Sequence, residues 1–261
     1  MGMRPRKWLE RKARERAHRQ WGELSENVDR IGAAQLHRLR DEALGLRGSL
    51  NRFLSGTDRR AQVSRRALDA LSLPGGTDWR WRPGFMAGPI TPRGLAEPAS
   101  GASLGAQATV WHDCPQRALI LEQVRSPGVT DLSPFGLRLE VFGFSGSFLS
   151  VAIELPREAL AGLTRDHVIR LETGIEVERP IGIYARLNIG HGPNTEEIPR
   201  KFADLEAGLQ SRQVIEFDLA YTEMNERRLE KIWLDLIFES PRMSAVEIHE
   251  LVLSRHLRAE F

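Results

Sequence analysis

IGIYARLNIG, residues 181–190, alternates apolar and polar side chains without a break. Ile181, Ile183, Ala185, Leu187 and Ile189 share one parity, and Tyr184, Arg186 and Asn188 share the other. Successive side chains of a strand point to opposite faces, so this run predicts a strand with one buried and one solvated face. The two-residue period recurs in Gln213–Tyr221, with Ile215, Phe217, Leu219 and Tyr221 inward and Glu216 and Asp218 outward. It recurs in Ile232–Glu239, where Ile232, Leu234, Leu236 and Phe238 face in and Trp233, Asp235 and Glu239 face out. In His167–Ile175 the outward set includes Arg170 and Glu172. Gln107–Asp113, Ala118–Val124, Leu137–Phe144, Phe148–Leu155 and Val246–Ser254 bring the expected strands to nine. Short alternating segments separated by turns argue for an antiparallel sandwich of jelly-roll type, not a parallel α/β sheet. Ser145-Gly146 reads as a tight hairpin turn, and residues 157–163 and 223–231 as short helical turns.

Upstream the texture is helical. Pro5 precedes WLERKARERAHRQW, and proline suits a first helical turn. Leu9, Ala13, Ala17, Trp21, Leu24 and Val28 form one apolar stripe, which Ile31-Gly32 interrupts. Leu36, Leu39, Ala43, Leu46, Leu50 and Phe53 then alternate at spacings of three and four, the pattern of a coiled-coil seam. Two stripes around a short break predict an antiparallel hairpin whose apolar faces meet. A third helix is expected from about Asp58 to Leu71, contributing Val63, Ala67, Leu68 and Leu71. The fold class is therefore α+β: a jelly-roll-like β-sandwich behind a helical hairpin or three-helix segment.

Residues 73–105 hold five prolines and seven glycines, which rules out a long helix and disfavours central strands. They read as a connector whose Trp79, Trp81 and Phe85 are pinned to the following domain. The expected division is a helical segment at 1–72, the connector at 73–105 and the sandwich at 106–261.

Composition narrows the classes. The 261 residues are 41% hydrophobic and 28% charged, ordinary for a globular chain. No apolar run approaches the roughly 20 residues of a spanning helix. The first ten residues lack the apolar core of a secretory signal, and the single cysteine, Cys114, suits a reducing compartment. A cytoplasmic location is the expectation. Charge is uneven: residues 1–70 carry 17 Lys+Arg against 9 Asp+Glu, and residues 71–261 carry 20 against 26. A basic arm thus precedes an acidic body, with Arg11, Arg14, Arg16 and Arg19 mostly off the apolar stripe.

GTDWRWRP, WHDC, FSGSFLSVAIELP, RLETGIE, ARLNIGHGPNTEEI, EFDLAYTEMNE and WLDLIFESP…LVLSRHLRAEF resemble a family of alphaproteobacterial proteins to which no activity is assigned. The likeness covers roughly residues 75–261 closely and the basic start more loosely. The strand layout is more distantly similar to galactose-binding-like and carbohydrate-binding jelly rolls, a likeness of fold, which does not fix function.

A site is sought on the solvated faces. If the four strands analysed first share one sheet, its outer face carries Tyr184, Arg186, Asn188, Arg170, Glu172, Asp218, Trp233 and Asp235. Aromatic rings stack on the apolar faces of sugars, and carboxylate, amide and guanidinium groups bond hydroxyls. The competing reading is a solvated face of cross-strand ion pairs. The turn-rich Gly190–Thr195 segment adds His191 and Asn194 as candidate ligand residues, against a plain wide turn. Trp111-His112-Asp113-Cys114 gathers a histidine, a carboxylate and a thiol, yet adjacent strand residues diverge and cannot converge on one metal. With no metal-ligand spacing and no nucleophile elbow, no cofactor, metal or catalytic residue is expected.

The leading expectation is a non-enzymatic binding or assembly protein, its sandwich recognising a glycan or polypeptide and its basic helices localising or oligomerising it. One alternative is a hydrolase of carbohydrate or ester. Another is an adaptor for nucleic acid or an anionic membrane surface through residues 4–19.

Overall fold

In the computed structural model of the protein, residues 5–64, 68, 70–126 and 132–258 are described, residues 5–11 and 57–64 as backbone only. The chain divides into two units, residues 1–52 and 53–261. Helix α1 (Pro5–Glu26) is followed by a 3-10 turn at Val28–Arg30 and then by α2 (Ala33–Ser64).

Two expectations for the helices are corrected. None of the described side chains from Lys12 to Gly56 is buried, so the apolar stripes do not close on each other as a packed hairpin. Nor is there a separate helix from Asp58: α2 runs unbroken to Ser64. Gly56 costs a helix only about 1 kcal/mol, and no proline stands there to stop it. The rest of the expected third helix includes residues 65–67 and 69, which lie outside the described residues.

Among the described residues, thirteen strands build the sandwich. They are β1 (Thr77–Trp81), β2 (Gly94–Ala96), β3 (Ala102–Leu104), β4 (Ala108–His112), β5 (Ala118–Arg125), β6 (Phe135–Gly143) and β7 (Leu149–Glu154). The second half supplies β8 (His167–Val177), β9 (Ile183–His191), β10 (Asn194–Lys201), β11 (Ser211–Asp218), β12 (Leu229–Phe238) and β13 (Ser244–Leu257). One sheet runs β11-β8-β13-β6-β5-β2, with β1 pairing β13; the other runs β10-β9-β12-β7-β4-β3. All pairings between these strands are antiparallel. From β4 onward every connection crosses between sheets except the hairpins β5–β6 and β9–β10. That alternation makes the sandwich jelly-roll-like. It also corrects the reading of Ser145-Gly146, which links β6 in one sheet to β7 in the other and forms no hairpin.

The parity read from sequence is the observed one. Leu187, Ile189, Leu234, Leu236, Ile169, Leu171 and Phe217 fill the space between the sheets. Tyr221 departs from it: β11 ends at Asp218, a 3-10 turn takes over, and Tyr221 is exposed. The turn forms because the Asp218 carboxylate accepts the Ala220 amide at 3.0 Å.

Residues 73–105 are more than a connector, since they supply β1, β2 and β3 to the two sheets. Each sits at an edge or a strand end, where proline and glycine nearby do least harm. Trp79 and Trp81 stack with centroids 6.5 Å apart and pack on the core, and Phe85 is buried.

Asp78 of β1 locks this segment down through a two-pronged pair with Arg255 of β13, at 2.8 and 2.7 Å. Arg255 is buried and also donates to the carbonyls of Ala159 and Ala161. The Arg255 guanidinium holds the Asp78 carboxyl below the usual carboxylate range, partly offset by burial. A depressed folded pKa stabilises above the unfolded value, and that contribution is lost as pH falls through the folded one. Asp78→Asn is therefore expected to cost about 1–3 kcal/mol at neutral pH, less than a fully buried pair because Asp78 is half-exposed. In urea melts at stepped pH, the gap between parent and variant should close below the carboxylate range. A constant gap would assign the loss to packing instead.

Candidate functional site: an aromatic-walled groove

Registers across the second sheet fix which outward side chains are neighbours. One row reads Glu154, Trp233, Asn188, Glu197 across β7, β12, β9 and β10. The next reads Ser103, Thr109, Ala152, Asp235, Arg186, Pro199 from β3 to β10. The third reads Trp111, Ser150, Ile237, Tyr184, Lys201 from β4 to β10. The middle of the β4–β7 side is thus floored by small residues, with larger ones around it.

That relief makes an open groove of about 530 Å³, where Thr109, Ser150 and Ala152 form the floor. Trp111 and Phe148 stand at one end and Trp233, with Lys231, at the other. From strand rise and spacing, the backbones of Trp111 and Trp233 lie roughly 16 Å apart, longer than one sugar ring. Trp111 is 47% exposed and Phe148 46%. The Trp233 ring, by contrast, has the Lys231 ammonium 4.5 Å from its centroid, a cation–π contact.

Local structure holds the bare end in place. The Asp113 carboxylate accepts the Ser147 hydroxyl at 2.6 Å, the Ser147 amide at 2.7 Å and the Phe148 amide at 3.3 Å. These bonds, the Ser147 hydroxyl first, keep the Asp113 carboxyl below its ordinary range despite opposing desolvation. The Trp111 ring closes on Gly101, where a Cβ would come within 3.4 Å of it. His112 turns inward: its Nε2 pairs with the Pro98 carbonyl at 3.0 Å, and its Nδ1 accepts the Cys114 amide at 3.1 Å. The Trp-His-Asp-Cys run thus shapes a wall and does not converge.

Of the residues expected to form the site, Tyr184, Arg186, Asn188, Trp233 and Asp235 do share one face. Their roles differ from the expectation. Asn188 is fully buried and Asp235 nearly so. One Asp235 oxygen accepts Arg186 Nη2 at 2.8 Å, Arg186 Nε at 3.3 Å and Asn188 Nδ2 at 3.0 Å. Arg186 also donates to Glu197 at 3.0 Å. This cluster fixes the guanidinium beside the groove; Asn188 is not presented to a ligand. Tyr184 stands a strand beyond the groove, its ring 5.8 Å from the Lys201 ammonium.

Arg170 and Asp218 belong to the other sheet, because β8 and β11 pair there. Arg170 bridges Glu172 at 3.0 Å and Glu216 at 2.9 Å, and Arg212 meets Glu172 at 2.7 Å. Burial pushes the Glu172 carboxyl up, and the hydrogen bonds from Arg212 and Arg170 outweigh it. Asp218 caps its turn and pairs with Arg258 at 3.2 Å. His191 and Asn194 face each other across a two-residue hairpin opened by Gly192 at φ +62°, a tight turn and not a wide loop. His191 is buried and accepts the Asn225 amide at 3.3 Å. Neither lines the groove. Arg14, Arg16 and Arg19 are exposed on α1; the Arg11 side chain lies outside the described residues.

Gln107, Thr109, Trp111, Phe148, Ser150, Glu154 and Lys231 were missed. Their signal was available, since the parity rule applied to 107–113 and 148–155 puts six of them outward. Sequence does not say, however, that β4 and β7 lie beside β12.

The fold and groove define a jelly-roll-like β-sandwich with a shallow, aromatic-walled depression on one sheet. The chain belongs to the family described as a family of unknown function (DUF6478), which it matches over residues 1–261. No curated protein matches it in sequence. Among solved structures it is similar to the enzymatically active domain of tailspike protein 4 of bacteriophage CBA120, with TM-score 0.43 and 8% identity. That match covers 58% of this chain and 19% of that one. The CBM22-1 xylan-binding domain of Paenibacillus barcinonensis Xyn10C gives TM-score 0.39 at 8% identity, covering 64% and 94%. The family 11 carbohydrate-binding module of Clostridium thermocellum gives 0.40 at 8%, covering 64% and 97%. At these scores nothing about ligand passes from them to this chain. No helix among the described residues is long and apolar enough to cross a membrane.

Proposed function

We propose that the protein is a non-catalytic binding protein whose groove on the β4–β7–β12 face takes an uncharged saccharide chain. The observation that carries this reading is the pair of bare rings, Trp111 and Phe148, standing over a floor of Thr109, Ser150 and Ala152. Rigid aromatic planes beside small hydroxyl-bearing residues suit a sugar ring, which is apolar on its faces and polar at its rim. Charge favours a neutral ligand: Glu154 and Asp235 balance Arg186 and Lys231 among the lining residues. A polyanion would need a surplus of cations, as nucleic acid does. Asp235, with one oxygen taken by three donor contacts, is a structural carboxylate and a poor catalytic acid.

A site this open is expected to bind at micromolar to millimolar affinity, about −8 to −4 kcal/mol. Trp111→Ala should weaken binding tenfold or more, about 1.4 kcal/mol, with the melt nearly unchanged. Trp233→Ala should weaken it less, because Lys231 already occupies its ring. Affinity electrophoresis through gels containing neutral polysaccharides reads both effects. Equal retardation of parent and Trp111→Ala would remove the groove from the account, and retardation only by acidic polymers would remove the neutral ligand.

A further inference from the structure

We propose that the exposed apolar face of α2 is the interface for a second copy of this chain, as a parallel, in-register two-stranded coiled coil over residues 36–53. Leu36, Leu46, Leu50 and Phe53 are all exposed large hydrophobics, and Leu39 and Ala43 continue the same seam. Three heptads of strict three-four spacing put Leu36, Ala43 and Leu50 at one seam position and Leu39, Leu46 and Phe53 at the other. A seam of this period turns one narrow stripe toward a partner helix along its whole length. The glycines that weaken the helix, Gly45 and Gly48, fall on its outer side, away from the stripe.

The flanking charges select both the partner and its direction. Glu42 precedes the seam pair on one side, and Arg47 follows on the other, five residues later. In a parallel, in-register pair those two positions meet across the interface, so symmetry gives Glu42–Arg47 twice. Gln35 meets Arg40 in the same way one heptad earlier. An antiparallel pair would instead bring the Arg40 and Arg47 side of one helix against the same side of the other. The repulsion disfavours it. The stripe also ends where it should, since Thr57 and Arg60, next in the same register, are polar.

Sedimentation equilibrium of the full chain is expected to give twice the chain mass at micromolar concentration. Leu46→Asp should return it to one chain mass while leaving the β signal in circular dichroism unchanged. Glu42→Arg should raise the dissociation constant severalfold, and Glu42→Arg combined with Arg47→Glu should restore it. Ala43→Cys, made with Cys114→Ser, should oxidise to a covalent dimer, because parallel register sets residue 43 against its own copy. A single-mass parent chain overturns the proposal, as does a dimer indifferent to Leu46→Asp. Failure of the charge swap to restore affinity overturns the parallel register. A monomeric chain that floats with vesicles of phosphatidylserine and phosphatidylcholine would give this face to a membrane surface instead.

Discussion

Phe217→Ala is expected to lower the unfolding free energy by about 3–5 kcal/mol, a large share of the roughly 5–15 kcal/mol that holds a domain folded. Phe217 is fully buried, on β11, opposite Ile169 of β8. β11 is an edge strand, yet the ring is wholly enclosed in the core between the sheets, so truncation leaves a cavity there. Glu216→Ala, one residue away on the other face, removes a half-exposed partner of Arg170 and should cost less than about 1 kcal/mol. Urea titrations followed by tryptophan fluorescence and circular dichroism compare the two. A larger loss for Glu216→Ala would mean that the outer face is covered, inverting the core.

Gln123→Leu is expected to destabilise by about 2–5 kcal/mol, although hydrophobicity alone would score it as an improvement. Leu119 and Leu121 precede it at the same inward parity of β5, and a third leucine would complete the stripe. Gln123 is instead a buried clamp. Its amide donates to the carbonyls of Phe85 at 2.5 Å and Gly88 at 2.8 Å, and its oxygen accepts the Ile90 amide at 3.1 Å. Leucine would leave all three backbone groups without this partner, at about 1–3 kcal/mol for each that water fails to reach. The loss should be local first, so proteolysis near residues 84–93 should accelerate before global unfolding does. A variant that melts like the parent and resists protease equally would show that water replaces the clamp.

Gln123 illustrates what was legible in the sequence and what was not. Alternation exposed nine strands and their faces, because a strand half in a core must write its burial into every second residue. β10 escaped because NTEEIPRK is an edge strand that is polar on nearly every position and holds Pro199. β1, β2 and β3 escaped because edge strands tolerate the proline and glycine around them, and their anchors (Asp78–Arg255 and Gln123) span 177 and up to 38 residues. The candidate face suffered from the same blindness to pairing. Parity correctly turned Arg186, Trp233, Arg170 and Asp218 outward, but no local feature assigns β8 and β11 to one sheet and β9 and β12 to the other. Asn188 and Asp235 were outward by parity and still buried, since neighbouring side chains on the same face cover them. The helices themselves were legible from their periodicity, but a stripe does not say what covers it, so the packed hairpin was not.

The most direct test of the saccharide groove is an array of neutral oligosaccharides probed with the full chain beside Trp111→Ala combined with Phe148→Ala. Both substituted rings are about half-exposed, so the double variant should fold and melt close to the parent. The expected result is binding of the parent to one family of extended neutral glycans and no signal from the variant. A blank array for the parent, or the same glycans bound by both proteins, would contradict the account.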